Sequence, residues 1–308
     1  RRLVRRAAEE ETSLLLRKLA LVRKREGSEA GVVDLDDECV AFEPRDGRRP
    51  GAVLHFVGGA VLGSFPAAAY GYLLSSLADV MGVGCVATPY DTDLDHDGAA
   101  ASVRAKFDVA LERLRAERAW PGGPVFGLGH SLGAKLLLLS SGYSRVVSLA
   151  GNNFGLADSA KLVKSFLDTV SPPDRAPTPA SGLIDFAAMA AAFTGLEVSP
   201  TPAQTLERLR QSSTVVTFVA FDDDDLDSTD QLRAAVSADD EGVIRLPGGH
   251  LSCVYIAPFN VGDPAVVQDV ARAIAKAFQL PSARRERPLL AAPTGAGGGD
   301  GSPPPPEE

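Results

Sequence analysis

The stretch VFGLGHSLGAKLLLL, Val125 to Leu139, joins an apolar run, a G-x-S-x-G pattern (Gly129, His130, Ser131, Leu132, Gly133) and a helical run within fifteen residues. With 30 Gly and 23 Ser in 308 residues, roughly 0.2 such patterns are expected by chance, so the flanks have to decide its meaning. They read as strand, sharp turn and helix. A turn that tight holds its serine in a strained conformation with the hydroxyl projecting outward, and it tolerates only small residues on either side. Gly129 and Gly133 meet that demand. The competing reading is a glycine-rich turn with an idle serine.

Working outward, short β-branched runs alternate with amphipathic stretches, the pattern of a mostly parallel sheet covered by helices. Strands are expected at residues 39–44, 52–59, 84–90, 125–130, 146–151, 214–221 and 243–248. Helices are expected at 66–80, 99–119, 132–141 and 263–278. The spacing breaks at residues 153–212, which hold helical patches and the Pro-rich SPPDRAPTP but no convincing strand. A helical cap or lid inserted at the carboxyl edge of the sheet, where open α/β sheets bind ligands, accounts for that break. The core is then residues 31–152 and 213–281.

At the ends, the first 26 residues hold nine Lys or Arg and four Glu, leaving −14 on the rest of a chain whose net charge is −9. Leu15, Leu19 and Val22 follow helical spacing, so residues 1–30 read as a basic amphipathic helix. Such a helix suits a peripheral membrane contact or a protein partner, and equally a face folded back on its own domain. Residues 282–308 form a Pro/Gly-rich tail that cannot bury enough apolar surface to offset chain entropy, and they are expected to be disordered. The chain opens on Arg1 rather than Met, the expectation being a processed or truncated product.

The acidic balance argues against nucleic acid as partner, since neutralising phosphates needs a basic face. Cys39, Cys85 and Cys253 lie far apart without CxxC spacing, so neither a zinc site nor a disulfide framework is indicated, and no cofactor is expected. No apolar run approaches the roughly 18 residues of a membrane span.

A serine hydroxyl needs a base to take its proton and a group to orient that base. Of four histidines, His55 lies in an apolar strand, His96 lies in the acidic DTDLDHDG and reads as solvated, and His130 reads as packed. His250, on a turn with Gly248 and Gly249 after a strand, remains as the base. The acid is expected after the preceding strand, in DDDDLDSTD. Asp224 is preferred because an apolar residue follows within two positions, with Asp222, Asp223, Asp225 and Asp227 as competitors. Most of that cluster must stay solvated, because adjacent carboxylates cannot all be buried ionised. Donors for an oxyanion are expected from the Leu132 amide and from Gly59 and Ala60 in HFVGGAVLG. Tyr90, Asn152 and Asn153 end strands and are placed to line a pocket, each being equally readable as a turn-former or a half-buried group.

The order Ser131, Asp224, His250 matches that of the α/β-hydrolase superfamily. Within it, VLHFVGGAVLGSFPAAAYGYLL, CVATPYDTDLDH, VFGLGHSLGAKLLLL, AGNNFG, FVAFDDDDLDST and LPGGHLS resemble an uncharacterised plant plastid and cyanobacterial family, over residues 51–250. The resemblance implies an α/β-hydrolase fold and a chloroplast location, and it supplies no substrate. Unlike better-known lipases, which place His directly before the oxyanion Gly, this chain has Phe56 and Val57 between His55 and Gly58. The expectation is a serine hydrolase acting on a small-molecule ester, thioester or amide, or an acyltransferase that differs from it only in the acceptor. The apolar patches GLIDFAAMAAAF and KLVKSFL in the cap hint at a lipid-like acyl group. Its rival from a different class is a non-catalytic binding or assembly factor on the same fold.

Overall fold

The computed structural model describes residues 31–35, 39–60, 62–155, 197–236, 242–257 and 261–279. Eight strands form one sheet: β1 (Val32–Asp34), β2 (Val40–Phe42), β3 (Val53–Val57), β4 (Gly84–Ala87), β5 (Val125–His130), β6 (Arg145–Leu149), β7 (Val216–Phe221) and β8 (Val243–Leu246). Their spatial order is β1-β2-β4-β3-β5-β6-β7-β8. The β1–β2 and β2–β4 pairs are antiparallel and the pairs from β4 to β8 are parallel.

Six α-helices are described: α1 (Pro66–Met81), α2 (His96–Arg118), α3 (Leu132–Leu139), α4 (Pro202–Gln211), α5 (Thr229–Val236) and α6 (Pro264–Gln279). Local chemistry sets their ends. Pro66 opens α1, and Gly82, in the left-handed region at φ 65°, closes it. Asp95 caps α2 by accepting from the Gly98 amide at 3.0 Å. Thr201 and Gln204 form a reciprocal capping box on α4.

Strand β3 shows how the layers are built. It is buried along its whole length, as expected of a central strand covered on both faces. Leu54 and Phe56 point into a core shared with α1 and α6, while the alternate residues Val53 and Val57 join the cores under α2 and α3. The helices thus lie on both faces of a mostly parallel sheet, the α/β-hydrolase architecture that the sequence pattern anticipates. The parallel strands all end at one edge, and the loops after β3, β5, β6, β7 and β8 meet there.

Several elements differ from expectation. β1 and α5 have no counterpart in the sequence reading, being a three-residue strand and an eight-residue helix. Helix α4 lies inside the interval assigned to the cap, and its Leu209 is buried with Leu132 and Leu136. The rest of that cap (residues 156–196), the N-terminal helix (1–30) and the tail beyond residue 279 lie outside the described residues. His96, read as solvated, is buried at 4% exposure. Its acidic neighbours face solvent, while its own backbone amide donates to the Ser199 carbonyl at 2.7 Å and ties the start of α2 to that segment.

Buried polar groups have definite consequences for stability. His55 stacks on Phe107 with ring centroids 4.0 Å apart, and its ring nitrogens meet the Tyr143 hydroxyl at 2.7 Å and the Thr88 hydroxyl at 3.0 Å. Lys135 is fully buried and donates to the Pro200 carbonyl at 3.1 Å; burial pushes its ammonium down to about 8. Burial likewise pushes His96 down to about 4, and His55 and His130 well below the usual 6.5. The unfolded chain would protonate all three imidazoles near the ordinary value, whereas the folded chain resists. Their contribution to stability is complete above that value and is lost as pH falls below it, through about 4 in the case of His96. Each differentially bound proton is worth about 1.4 kcal/mol per pH unit. Urea unfolding midpoints should therefore fall steeply between pH 7 and 5, and a flat series would contradict neutral burial of these rings.

Candidate active site

Strand β5 runs into Ser131, whose backbone adopts φ 56° and ψ −123°, and α3 starts at the next residue. A non-glycine residue there costs roughly 1–3 kcal/mol, so the surroundings must hold it. The Ser131 amide donates to the Leu149 carbonyl at 3.0 Å, and its carbonyl accepts from the Ala134 amide at 3.1 Å. Close packing does the rest. A methyl group on Gly129 would run into the Ala134 backbone, and one on Gly133 into the Val57 and Gly58 carbonyl oxygens.

At this bend the Ser131 hydroxyl meets His250 Nε2 at 2.9 Å, and His250 Nδ1 meets Asp224 Oδ2 at 2.8 Å. A carboxylate only accepts, so Nδ1 carries the proton and Nε2 is left to accept from the serine O–H. The Asp224 side chain is 0% exposed and that of His250 9%. Asp224 Oδ1 accepts from the Leu226 amide at 2.9 Å, which fixes the carboxylate plane.

The remaining aspartates are sorted by the same loop. Asp222, Asp223 and Asp225 are exposed. The backbone amides of Asp222 and Asp223 donate to the Leu246 and Gly248 carbonyls at 2.9 and 3.0 Å, which clamps the acid loop to the turn that carries His250. Asp227 accepts from the Thr229 amide and hydroxyl at the start of α5, and burial pushes its carboxyl up.

Asn152 does more than line a pocket: its Nδ2 donates to Ser131 Oγ at 2.9 Å, so that oxygen has a fixed donor as well as a fixed acceptor. Asn153 lies one residue on, its amide held by the Ser228 hydroxyl at 3.1 Å and its Nδ2 donating to the Pro202 carbonyl at 2.9 Å. Tyr90 is buried and its hydroxyl donates to the Gly58 carbonyl at 3.1 Å, so it braces the loop after β3 with its hydroxyl proton engaged.

The loop after β3 corrects the expected oxyanion donors. Gly59 does lie against Ser131, a Cβ there falling 3.1 Å from Ser131 Cβ. Its amide, however, donates to the Tyr70 hydroxyl at 3.0 Å and is unavailable to an oxyanion. Nothing local in the sequence marks this contact, Tyr70 being one residue of the helix expected at 66–80, eleven positions from Gly59. Among the described residues, the Leu132 and Ala60 amides have no acceptor. Also among the described residues, no group of three or more His, Cys, Asp or Glu side chains is arranged to hold a metal ion.

An eight-stranded, mostly parallel sheet in this order, with a strained serine between β5 and the following helix and a histidine after β8, defines an α/β-hydrolase. The chain belongs to the family described as protein of unknown function (DUF1350), whose model matches residues 45–258. No match is found among curated proteins. Among solved structures it is similar to Est1E from Butyrivibrio proteoclasticus, at 12% identity over 82% of this chain and 100% of that one, TM-score 0.44. It is also similar to a monoacylglycerol lipase from Paleococcus ferrophilus, at 14% identity over 77% and 96% of the two chains, TM-score 0.45. A thioesterase domain from the curacin biosynthetic pathway aligns at 14% identity over 79% and 94%, TM-score 0.45.

The packing at the bend yields a structural prediction. Gly133→Ala drives a methyl group into two backbone carbonyls that cannot move without breaking β3, so it should destabilise the fold by about 1–3 kcal/mol or more. Gly123→Ala, where the added methyl meets nothing within 4 Å, is the control and should be near neutral. Equal unfolding midpoints for the two variants would contradict the described packing.

Proposed function

We propose that this chain is a serine hydrolase that cleaves an ester, thioester or amide through an acyl-enzyme. The observation that carries the reading is the continuous chain from Ser131 Oγ to His250 Nε2 at 2.9 Å and from His250 Nδ1 to Asp224 Oδ2 at 2.8 Å. As Oγ attacks the carbonyl carbon, its proton passes to Nε2, and the buried Asp224 carboxylate stabilises the resulting imidazolium. The carbonyl oxygen becomes an oxyanion facing the Leu132 and Ala60 amides, and one such donor is worth about 10²–10³ in rate. Collapse of the tetrahedral intermediate breaks the bond to the leaving group, which takes the proton from Nε2. Water, deprotonated by the same nitrogen, then attacks the acyl-enzyme and releases the acid and the Ser131 hydroxyl. Asn152 Nδ2 donates to Oγ throughout and helps most when that oxygen carries charge as the leaving atom.

The lipid-like acyl group suggested by the apolar patches of residues 153–212 is part of this proposal. Hydrolysis of p-nitrophenyl esters of increasing chain length tests it, a preference for longer chains supporting it and a steep preference for acetate contradicting it.

The assignment of the acid is tested by two substitutions in one loop. Asp224→Asn would favour the wrong imidazole tautomer and should lower kcat on the order of 10⁴-fold, while exposed Asp225→Asn should stay within about twofold of wild type. Equal activity of the two Asn variants would contradict the proposed roles.

A further inference from the structure

Four polar groups form an unbroken buried chain beside the site. The Gly59 amide donates to the Tyr70 oxygen at 3.0 Å, the Tyr70 oxygen lies 2.8 Å from His130 Nδ1, and His130 Nε2 lies 3.0 Å from the backbone carbonyl of His250. Both side chains are essentially fully buried, Tyr70 at 0% and His130 at 1% exposure. The direction of every hydrogen bond follows from its ends. The His250 carbonyl can only accept, so Nε2 of His130 carries the proton. A neutral ring then has a bare Nδ1, which accepts the Tyr70 O–H, and the Tyr70 oxygen keeps a lone pair for the Gly59 amide. Burial and the neighbouring His250 hold the His130 ring neutral.

The three backbone points joined in this way are the loop after β3, the bend after β5 and the turn after β8. The strand ladder joins the first two, since β3 pairs with β5 as far as Val57 and Gly129, but not the third, because β3 and β8 are separated by three strands of the sheet. The imidazole of His250 must meet both Ser131 and Asp224, yet it sits on a turn at the outer end of the sheet. Its rings pack as well: the His130 and His250 centroids are 4.9 Å apart.

We propose that Tyr70 and His130 are positioning residues that set the His250 turn and the Gly59 loop relative to the nucleophile. The inference rests on the serine-hydrolase reading above and deepens it. His130 is then more than filler in the G-x-S-x-G pattern: it is the one member of the bend whose ring reaches the turn carrying the base. Tyr70 in turn holds the Gly59 amide away from substrate, so that the next amide, that of Ala60, is the one left for the oxyanion.

Because a 1 Å misplacement of a reacting group can cost about 10²-fold in rate, loss of the chain should show in kcat more than in KM. The variants are Tyr70→Phe, which removes one oxygen, His130→Leu, and His130→Gln, whose amide keeps an acceptor and a donor at similar spacing without a titratable ring. Tyr72→Phe removes a hydroxyl from the exposed side of the same helix and is the control. Two readouts are taken below the unfolding transition: kcat and KM for p-nitrophenyl acetate, and the deshielded Nδ1–H proton of His250 by NMR. Tyr70→Phe and His130→Leu should lower kcat by about tenfold or more with little change in KM, and should broaden or shift that proton, while His130→Gln restores most of both. Tyr70→Phe with wild-type kcat and an unchanged proton signal would overturn the proposal, as would His130→Gln failing as badly as His130→Leu. If wild type hydrolyses no p-nitrophenyl ester of any chain length, the serine-hydrolase reading is what fails, and the NMR arm alone decides the positioning claim.

Discussion

A serine cannot rest at φ 56° unless its neighbours forbid the alternatives, and most of the site follows from how this chain enforces that conformation. Helix α3 has to leave the sheet immediately after β5, with its first turn pressed against the end of β3. That is possible because Gly133 has no side chain to meet the Val57 and Gly58 carbonyls. The same approach brings the Gly58–Ala60 loop beside Ser131, where Gly59 lies against the serine at the start of the helix. Backbone strain of roughly 1–3 kcal/mol at one residue is thus held by close packing of two strands and a helix, in a protein whose net stability is small compared with the forces involved.

The second constraint is that buried polar groups must be paired. The loops at the carboxyl edge of the sheet lock together by this rule: the Ser228 amide donates to the Gly151 carbonyl at 2.8 Å, and the Asp223 amide to the Gly248 carbonyl at 3.0 Å. Asp224, His250, Ser131 and Asn152 form a polar line across the edge, and Gly59, Tyr70 and His130 form another behind it. The two meet at His250, ring on one side and carbonyl on the other. Low local polarity strengthens each of these bonds and raises the cost of leaving any member unpaired.

The parts of this arrangement that depend on local sequence were legible. The bend declares itself by two glycines around a serine between an apolar strand and a helix, and the order of serine, acid and base narrows the histidine to His250. Asp224 could be preferred among five aspartates because a short loop that folds back needs an apolar residue nearby, although only coordinates separate it from Asp225. What escaped the sequence depends on distant partners. Tyr70 is sixty residues from His130, and nothing around it in AAAYGYLL distinguishes a core ring from a hydrogen-bond donor. His96 was hidden by the aspartates around it, since burial is decided by the Ser199 segment a hundred residues on. Lys135 sits in an apolar helix with its acceptor, the Pro200 carbonyl, 65 positions away.

The central claim is that Ser131 is an activated nucleophile. Intact-mass analysis after exposure to an alkyl fluorophosphonate bears on it most directly. The account predicts a single covalent adduct on wild type, mapped to the peptide containing Ser131, and no adduct on Ser131→Ala. Wild type left unmodified under conditions that fully label a control serine hydrolase would contradict it.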